Sequence, residues 1–173
     1  MQGFGADPPS ILCSTGLSCE EKVIQTSDLQ KRGTAFFGKL ARHRYSYLYE
    51  NGTLIDQFLE VFTMSGINEN AQRKGDFYYR DGFRHHLAQE MGLTAFTEKG
   101  KMVGAGILYY PCDLPKSVKD CSKRAYFTIY VKDISKKDEI VTNMKAWVNG
   151  IMKLESFESD HIHLEKVDVI TLP

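Results

Sequence analysis

The 173-residue sequence has no net charge, because its 22 lysines and arginines balance its 22 aspartates and glutamates. A neutral chain lacks the long-range attraction that draws proteins to nucleic acid or to anionic membranes, so we expect neither as the main partner. Long apolar segments are also missing. The run MVGAGILYY at 102–110 falls well short of the ~20 residues that a membrane-spanning helix needs. The sequence therefore predicts a soluble chain without a membrane span.

Targeting and catalytic motifs are missing as well. The first twenty residues lack the basic start, the apolar stretch and the small-residue cleavage site of a secretory signal. The chain has no glycine-rich phosphate loop ending in Lys-Ser or Lys-Thr, no G-x-S-x-G nucleophile elbow and no H-E-x-x-H zinc motif. These absences favour a binding protein over an enzyme, and they make a cytoplasmic location the default expectation.

Cysteine is scarce, and its spacing fits more than one chemical state. Cys13 and Cys19 form one local pair, and Cys112 and Cys121 form another. Both spacings are wider than those of the cysteine pairs in zinc sites. Two small disulfides would indicate an oxidising, extracellular compartment, whereas four reduced thiols would suit the cytoplasm. The sequence alone leaves both states open.

The composition is that of an ordinary globular domain, with 42% hydrophobic, 12% aromatic and 25% charged residues. Residues 1–17 are rich in Gly, Pro and Ser and show no period, so they predict a loosely ordered arm. Residues 18–173 carry the periodic patterns and contain no second-domain linker. At this length one core buries enough surface to be stable without a metal or a disulfide. We therefore expect one arm and one domain.

The patterns along the domain alternate between helix and strand. A capping box at Ser18 and Glu21 predicts a first helix that ends at Gly33, and four-residue spacings predict a second helix over 77–91 that ends at Gly92. Residues 93–110 read as a hairpin with its turn at Lys99-Gly100, and residues 125–133 read as a strand. A capped helix from Ser135 to about residue 154 and a final strand over 162–172 complete the chain. The prediction is a two-layer α+β domain, with a mainly antiparallel sheet of five to six strands packed by amphipathic helices.

The strongest local signal is a row of tyrosines before an Asn-Gly turn. Tyr45, Tyr47 and Tyr49 alternate with other residues, and Asn51-Gly52 is typical of a tight hairpin turn. The return segment 53–62 fits a strand at its start, and a helix is the competing interpretation. Arg42 and Arg44 lie next to the tyrosines. We expect these five residues to bind a protein partner or a small apolar ligand.

A second candidate site lies on the last strand. His161, His163 and Glu165 alternate, so a strand would point them to one side. Three side chains on one face of a strand, each two residues from the next, spread over about 13 Å and cannot easily bind one ion together. His161 and His163 with a remote third ligand, such as His43, His85 or His86, are therefore the candidate transition-metal ligands. Glu165 would then be the candidate general base of a small metal-assisted enzyme.

A third hypothesis is an apolar pocket between the sheet and its helices. Its wall would consist of aromatic residues whose hydroxyl groups supply a few polar contacts. The candidates are Tyr45, Tyr47 and Tyr49 of the row, joined by Phe58, Tyr109, Tyr110, Phe127 and Tyr130. A dry, filled core is the alternative, and the sequence leaves both open. The leading prediction is thus a non-enzymatic binding or assembly module, and the metal-assisted enzyme is the alternative.

Overall fold

A computed structural model describes residues 26–65, 71–112 and 121–173. The helices are α1 (Thr26–Phe37), α2 (Leu54–Glu60), α3 (Lys137–Ile151) and α4 (Glu155–Ser159), with 3-10 turns at Gly38–Arg42 and Cys121–Lys123. The strands are β1 (Arg44–Tyr45), β2 (Gly52–Thr53), β3 (Met64–Ser65), β4 (Gln72–Lys74), β5 (Phe77–Arg84), β6 (Leu87–Phe96), β7 (Met102–Tyr109), β8 (Arg124–Lys132) and β9 (His163–Leu172). The predicted arm, the first capping box and the pair Cys13 and Cys19 lie outside the described residues.

The main sheet has the order β3-β5-β6-β7-β8-β9, and β4 also pairs with β5. Every pair is antiparallel except β8 with β9, which run parallel. Helix α3 connects these two strands, as parallel neighbours require, because a short turn cannot return the chain in the same direction. The expected α+β fold with a mainly antiparallel sheet is confirmed.

Apolar side chains pack on both faces of this sheet. On one face, α3 buries Ile140, Met144, Val148 and Ile151 against the sheet. On the other face, α1 and α2 contribute Leu29, Phe36, Leu54 and Phe58 to a second core cluster. The helices are therefore divided between the two faces of the sheet, whereas the expected two layers would have had all of them on one face. The face covered by α1 and α2 carries the aromatic cluster described below.

The helix predicted over 77–91 is wrong, because these residues form β5, a turn and the first half of β6. The prediction relied on Tyr79, Phe83, Leu87 and Met91 at four-residue spacing. Four is also a multiple of the two-residue period of a strand, so the same spacing fits one face of a sheet. Tyr79, Phe83 and Met91 do contact one core cluster, on the α3 side.

Glycines explain why residue 92 continues a strand instead of ending a helix. Gly82 and Gly92 are cross-strand partners in the β5-β6 pair. A Cβ atom on Gly82 would lie 2.7 Å from the Val61 carbonyl oxygen, and one on Gly92 would lie 2.8 Å from the Phe62 ring. The two glycines therefore leave the space in which Val61 and Phe62 approach the sheet.

Helix boundaries differ from the predictions in three places. Helix α1 continues through Gly33, where a Cβ would meet the Ile55 side chain at 2.9 Å. After β2 the chain forms α2, so the helix interpretation of the return segment holds beyond Thr53. Helix α3 has Lys136 as its N-cap with no side-chain cap, so the predicted capping role of Ser135 is wrong. The buried stripe of α3 is confirmed.

The later strands follow the sequence prediction closely. The hairpin β6-β7 turns at residues 97–101, where Gly100 has a φ of 76°, and β8 and β9 lie close to the strands predicted over 125–133 and 162–172. Between β7 and β8, Cys112 and Cys121 are joined by a disulfide, with the sulfur atoms 2.26 Å apart. Among the described residues, no helix has both the length and the apolar character needed to cross a membrane.

Candidate functional site: the tyrosine loop and its aromatic cluster

The predicted tyrosine hairpin is a loop held by one buried side chain. Its strands β1 and β2 pair over only two residues each, so the expected strand through Tyr49 is wrong. Asn51 has a φ of 55°, but Gly52 belongs to β2, so the two do not form the expected two-residue turn. We call residues 44–53 the tyrosine loop.

Gln57 on α2 fixes the backbone of this loop. The side chain is fully buried, and its Oε1 atom accepts hydrogen bonds from the amides of Tyr47 at 2.8 Å and Leu48 at 2.9 Å. Its Nε2 atom donates to the carbonyl of Tyr45 and, at 3.0 Å, to that of Gly52. A glutamine side chain has two acceptor positions and two donors, so all four are used. The loop conformation is therefore set from inside the protein.

Two tyrosines of the loop join an aromatic cluster on the sheet. The Tyr45 and Tyr47 rings stack with centroids 5.3 Å apart, and the Tyr47 ring lies 4.7 Å from that of Tyr109. The Tyr47 hydroxyl is 2.6 Å from the hydroxyl of Tyr130, which is fully buried on β8. Tyr126 lies beside Tyr109 at 5.8 Å. We call Tyr45, Tyr47, Tyr109, Tyr126 and Tyr130 the tyrosine cluster.

Burial keeps the inner phenols of the cluster protonated. It raises the pKa of Tyr47 to about 12, and the hydrogen bond to Tyr130 opposes that rise only in part. Burial also raises the pKa of Tyr130 and of Tyr109. Near neutral pH these groups are hydrogen-bonding phenols, and neither a phenolate nucleophile nor a phenolate base is present.

Tyr49 has a different environment from the other two tyrosines of the row. The centroid of its ring lies 5.8 Å from the guanidinium carbon of Arg84. The Nη1 atom of Arg84 also donates a hydrogen bond to Glu90 Oε2 at 2.8 Å. Leu48, the residue before it, is buried in the α1-α2 core cluster. Tyr49 packs against the same core cluster as Tyr45 and Tyr47, and the contact with Arg84 distinguishes it from them.

The two predicted arginines flank the loop and are exposed. Arg42 ends the first 3-10 turn, and Arg44 begins β1, where its Nη1 atom donates to the carbonyl of Asn51. Lys39 and His43 are exposed on the same segment. Arg42, Arg44, Tyr45 and Tyr47 thus lie close together along the chain, with the two arginines exposed and the two tyrosines half-buried.

The histidine residues do not converge. His161 lies in the turn before β9 with a φ of 56°, and His163 is the first residue of β9. The Nε2 atom of His163 is 3.8 Å from Glu165, whose carboxylate is held by the Arg124 guanidinium through two hydrogen bonds. That bonding lowers the pKa of Glu165. Across the described ranges, no group of three or more His, Cys, Asp or Glu side chains is placed to hold a metal ion.

His85 and His86 lie at the β5-β6 turn, not on a helix as expected. Both are exposed, and their rings stack with centroids 3.8 Å apart. His86 has a φ of 63°, a conformation typical of turns, because a regular helix or strand has no residue there. These two residues therefore close a hairpin, and they are remote in sequence from the candidate metal strand.

The aromatic residues of the pocket hypothesis are divided between the two faces of the sheet. Phe58 and Tyr130 are fully buried on one face of the sheet, and Phe127 is 1% exposed on the other. Tyr110 borders an open cleft of about 620 Å³ near the β5-β6 turn. The cleft is mixed in character, with lining residues that include Leu48, Arg84, Gln89, Glu90, Tyr110 and Asp160. Sequence reasoning missed it because its walls come from five separate segments.

Comparison with known proteins gives no further information about the site. No protein-family model matches the chain, and neither a curated protein nor a solved structure matches it. The function must therefore be argued from the geometry of the described residues.

Proposed function

We propose that the protein is a non-enzymatic binding module that presents the tyrosine loop to an acidic segment of a protein partner. The observation that carries this proposal is the use of all four hydrogen-bonding positions of Gln57 to fix the loop from within. A loop held in one conformation loses little entropy when it binds. Such pre-organisation supports recognition by the side chains that the loop exposes.

The exposed side chains suit contact with carboxylates and apolar groups. Tyrosine and arginine are the residue types that contribute most to protein interfaces, since they bury large areas and still form hydrogen bonds. Tyr45 and Tyr47 are half-buried, so part of each ring remains available. Arg42 and Arg44 are exposed beside them, and guanidinium groups bind carboxylates through paired hydrogen bonds. An acidic peptide with aromatic residues matches this surface.

The alternative of a metal-assisted enzyme gains no support from the described geometry. Glu165, its candidate base, is engaged by Arg124, and the pKa of this carboxyl group is lowered rather than raised toward neutrality. General bases work best when their pKa lies near the working pH. His161 and His163 are both exposed, and among the residues that the structure describes neither belongs to a group of three or more His, Cys, Asp or Glu side chains placed to hold a metal ion.

A labelled random copolymer of glutamate and tyrosine is a suitable probe, with fluorescence anisotropy as the measurement. We expect the wild-type protein to bind it, and we expect the double variant Arg42→Glu with Arg44→Glu to bind about tenfold or more weakly. The matched control is Lys145→Glu with Lys153→Glu, which makes the same charge change at exposed positions on and just after α3. The control should bind like the wild type.

Three outcomes would overturn the proposal. The first is an absence of binding at low salt, and the second is an equal loss in both double variants, which would show that only net charge matters. The third is binding to a single-stranded oligonucleotide in place of the acidic copolymer, which would identify the tyrosines as a base-stacking surface. Far-UV circular dichroism of each variant verifies that the fold is retained.

A further inference from the structure

Strand β9 ends the sheet with one edge that no described residue pairs. It spans ten residues and pairs with β8 alone among the described strands. Val169 on this strand is 43% exposed and is one of the few exposed large apolar residues in the described part of the chain. A long unpaired edge presents free backbone amides and carbonyls, and these are a template for another strand.

The charges on this edge are self-complementary. Lys166 and Asp168 lie two positions apart and share a face of the sheet, and Lys166 Nζ is 3.0 Å from Asp168 Oδ2. A single lysine on an edge strand opposes pairing, because a second copy would bring a second lysine next to it. A lysine and an aspartate on one face behave differently, since two antiparallel copies can place each lysine opposite an aspartate.

We propose that β9 pairs in antiparallel fashion with β9 of a second copy of this chain, in the register centred on Val167. In that register Lys166 of each copy faces Asp168 of the other, and Val167 faces Val167. Centring on residue 166 would place Lys166 opposite itself, and centring on residue 168 would do the same for Asp168. Cross-strand pairs of like charge are unfavourable, so the charge pattern selects one register.

The arrangement has a consequence for the tyrosine cluster. Lys166 pairs with Tyr126 and Ile170 pairs with Tyr130, so Lys166, Asp168 and Ile170 lie on the face of the sheet that carries the cluster. A two-fold axis perpendicular to a continuous sheet keeps equivalent faces on the same side. The dimer would therefore display two tyrosine loops on one face, and a partner with two acidic segments would bind it by multivalency.

Sedimentation equilibrium of the full chain tests this pairing. The wild type is expected to be a dimer, and Lys166→Glu or Asp168→Lys should each raise the dimer dissociation constant by about tenfold or more, because each creates two pairs of like charge. The exchanged variant Lys166→Asp with Asp168→Lys should restore the dimer. Mixing the two single variants should also restore it, since the mixed dimer pairs opposite charges at both positions. Lys99→Glu, in the exposed β6-β7 turn, is the charge-matched control.

The outcomes separate this proposal from that for the tyrosine loop. A wild-type protein that is monomeric at all concentrations overturns the pairing, as do single variants that dimerise like the wild type. Failure of both the exchanged variant and the mixture to restore the dimer contradicts the register and also overturns it. The exchanged variant retains both charges, so it decides the question even where a single reversal impairs folding. None of these results depends on binding to the acidic copolymer.

Discussion

The hydroxyl oxygens of Tyr47 and Tyr130 lie 2.6 Å apart, although 83 residues separate them along the chain. Tyr47 belongs to the tyrosine loop, and Tyr130 is fully buried on β8. This contact joins the loop to a strand of the main sheet. It also gives a partner to a buried phenol that burial alone would leave unsatisfied, at a cost in free energy.

The Tyr47-Tyr130 contact predicts coupling between two conservative substitutions. Tyr47→Phe and Tyr130→Phe should each lower the free energy of unfolding by about 1 kcal/mol, because each leaves a partner hydroxyl without its hydrogen bond. The double variant should lose less than the sum of the two, with a coupling energy of about 1 kcal/mol. Urea denaturation of the four proteins measures the cycle. Strictly additive losses would show that the hydroxyl groups do not interact.

Replacing Gln57 should lower the free energy of unfolding more than replacing either tyrosine. Gln57→Leu puts an apolar side chain of similar size in place of the amide and leaves the backbone N–H groups of Tyr47 and Leu48 without acceptors. We therefore expect about 2–4 kcal/mol of destabilisation. Gln89→Leu is the matched control, since its hydrogen bonds to Ser156 and Asp160 are exposed. That change should cost under about 0.5 kcal/mol. Urea denaturation compares the two, and similar losses would argue against a structural role for Gln57.

Adding a Cβ atom should cause a steric clash at Gly82 but not at Gly150. Gly82→Ala should destabilise the protein by about 1–3 kcal/mol, because the new Cβ would meet backbone atoms of Val61 and Phe62 that cannot move freely. Gly150 lies in α3 with no atom within 4 Å of a new Cβ. Gly150→Ala should therefore stabilise the protein by about 0.5–1 kcal/mol through helix propensity. Thermal unfolding checks whether the two changes have opposite signs.

The raised pKa of Tyr47 predicts that the protein loses stability at alkaline pH. Its pKa rises from 10.0 in the ordinary phenol to about 12 in the folded protein, so the folded state holds the proton more tightly than the unfolded state. The resulting contribution is fully present below pH 10 and is lost as the pH rises from 10 through 12. Urea midpoints across this range should fall less steeply in Tyr47→Phe. Equal slopes for the two proteins would contradict the assigned protonation.

Local sequence patterns were sufficient to predict several of the helices and strands. The β6-β7 hairpin, β8, the buried stripe of α3 and β9 follow from alternation, helical period and turn residues near them in sequence. The proposed binding residues Arg42, Arg44, Tyr45 and Tyr47 come from the same kind of local pattern, because they are neighbours along the chain.

Only the tertiary structure decided the conformation of residues 77–91 and the role of Gln57. The four-residue spacing of Tyr79, Phe83 and Met91 fits a helix and a strand equally, and pairing with β4 and β6 selects the strand. Gln57 reads as one polar residue of a short helix, yet its four hydrogen bonds reach loop residues up to 12 positions away. A sequence specifies which groups can pair, whereas the packed chain determines which of them are buried and must pair.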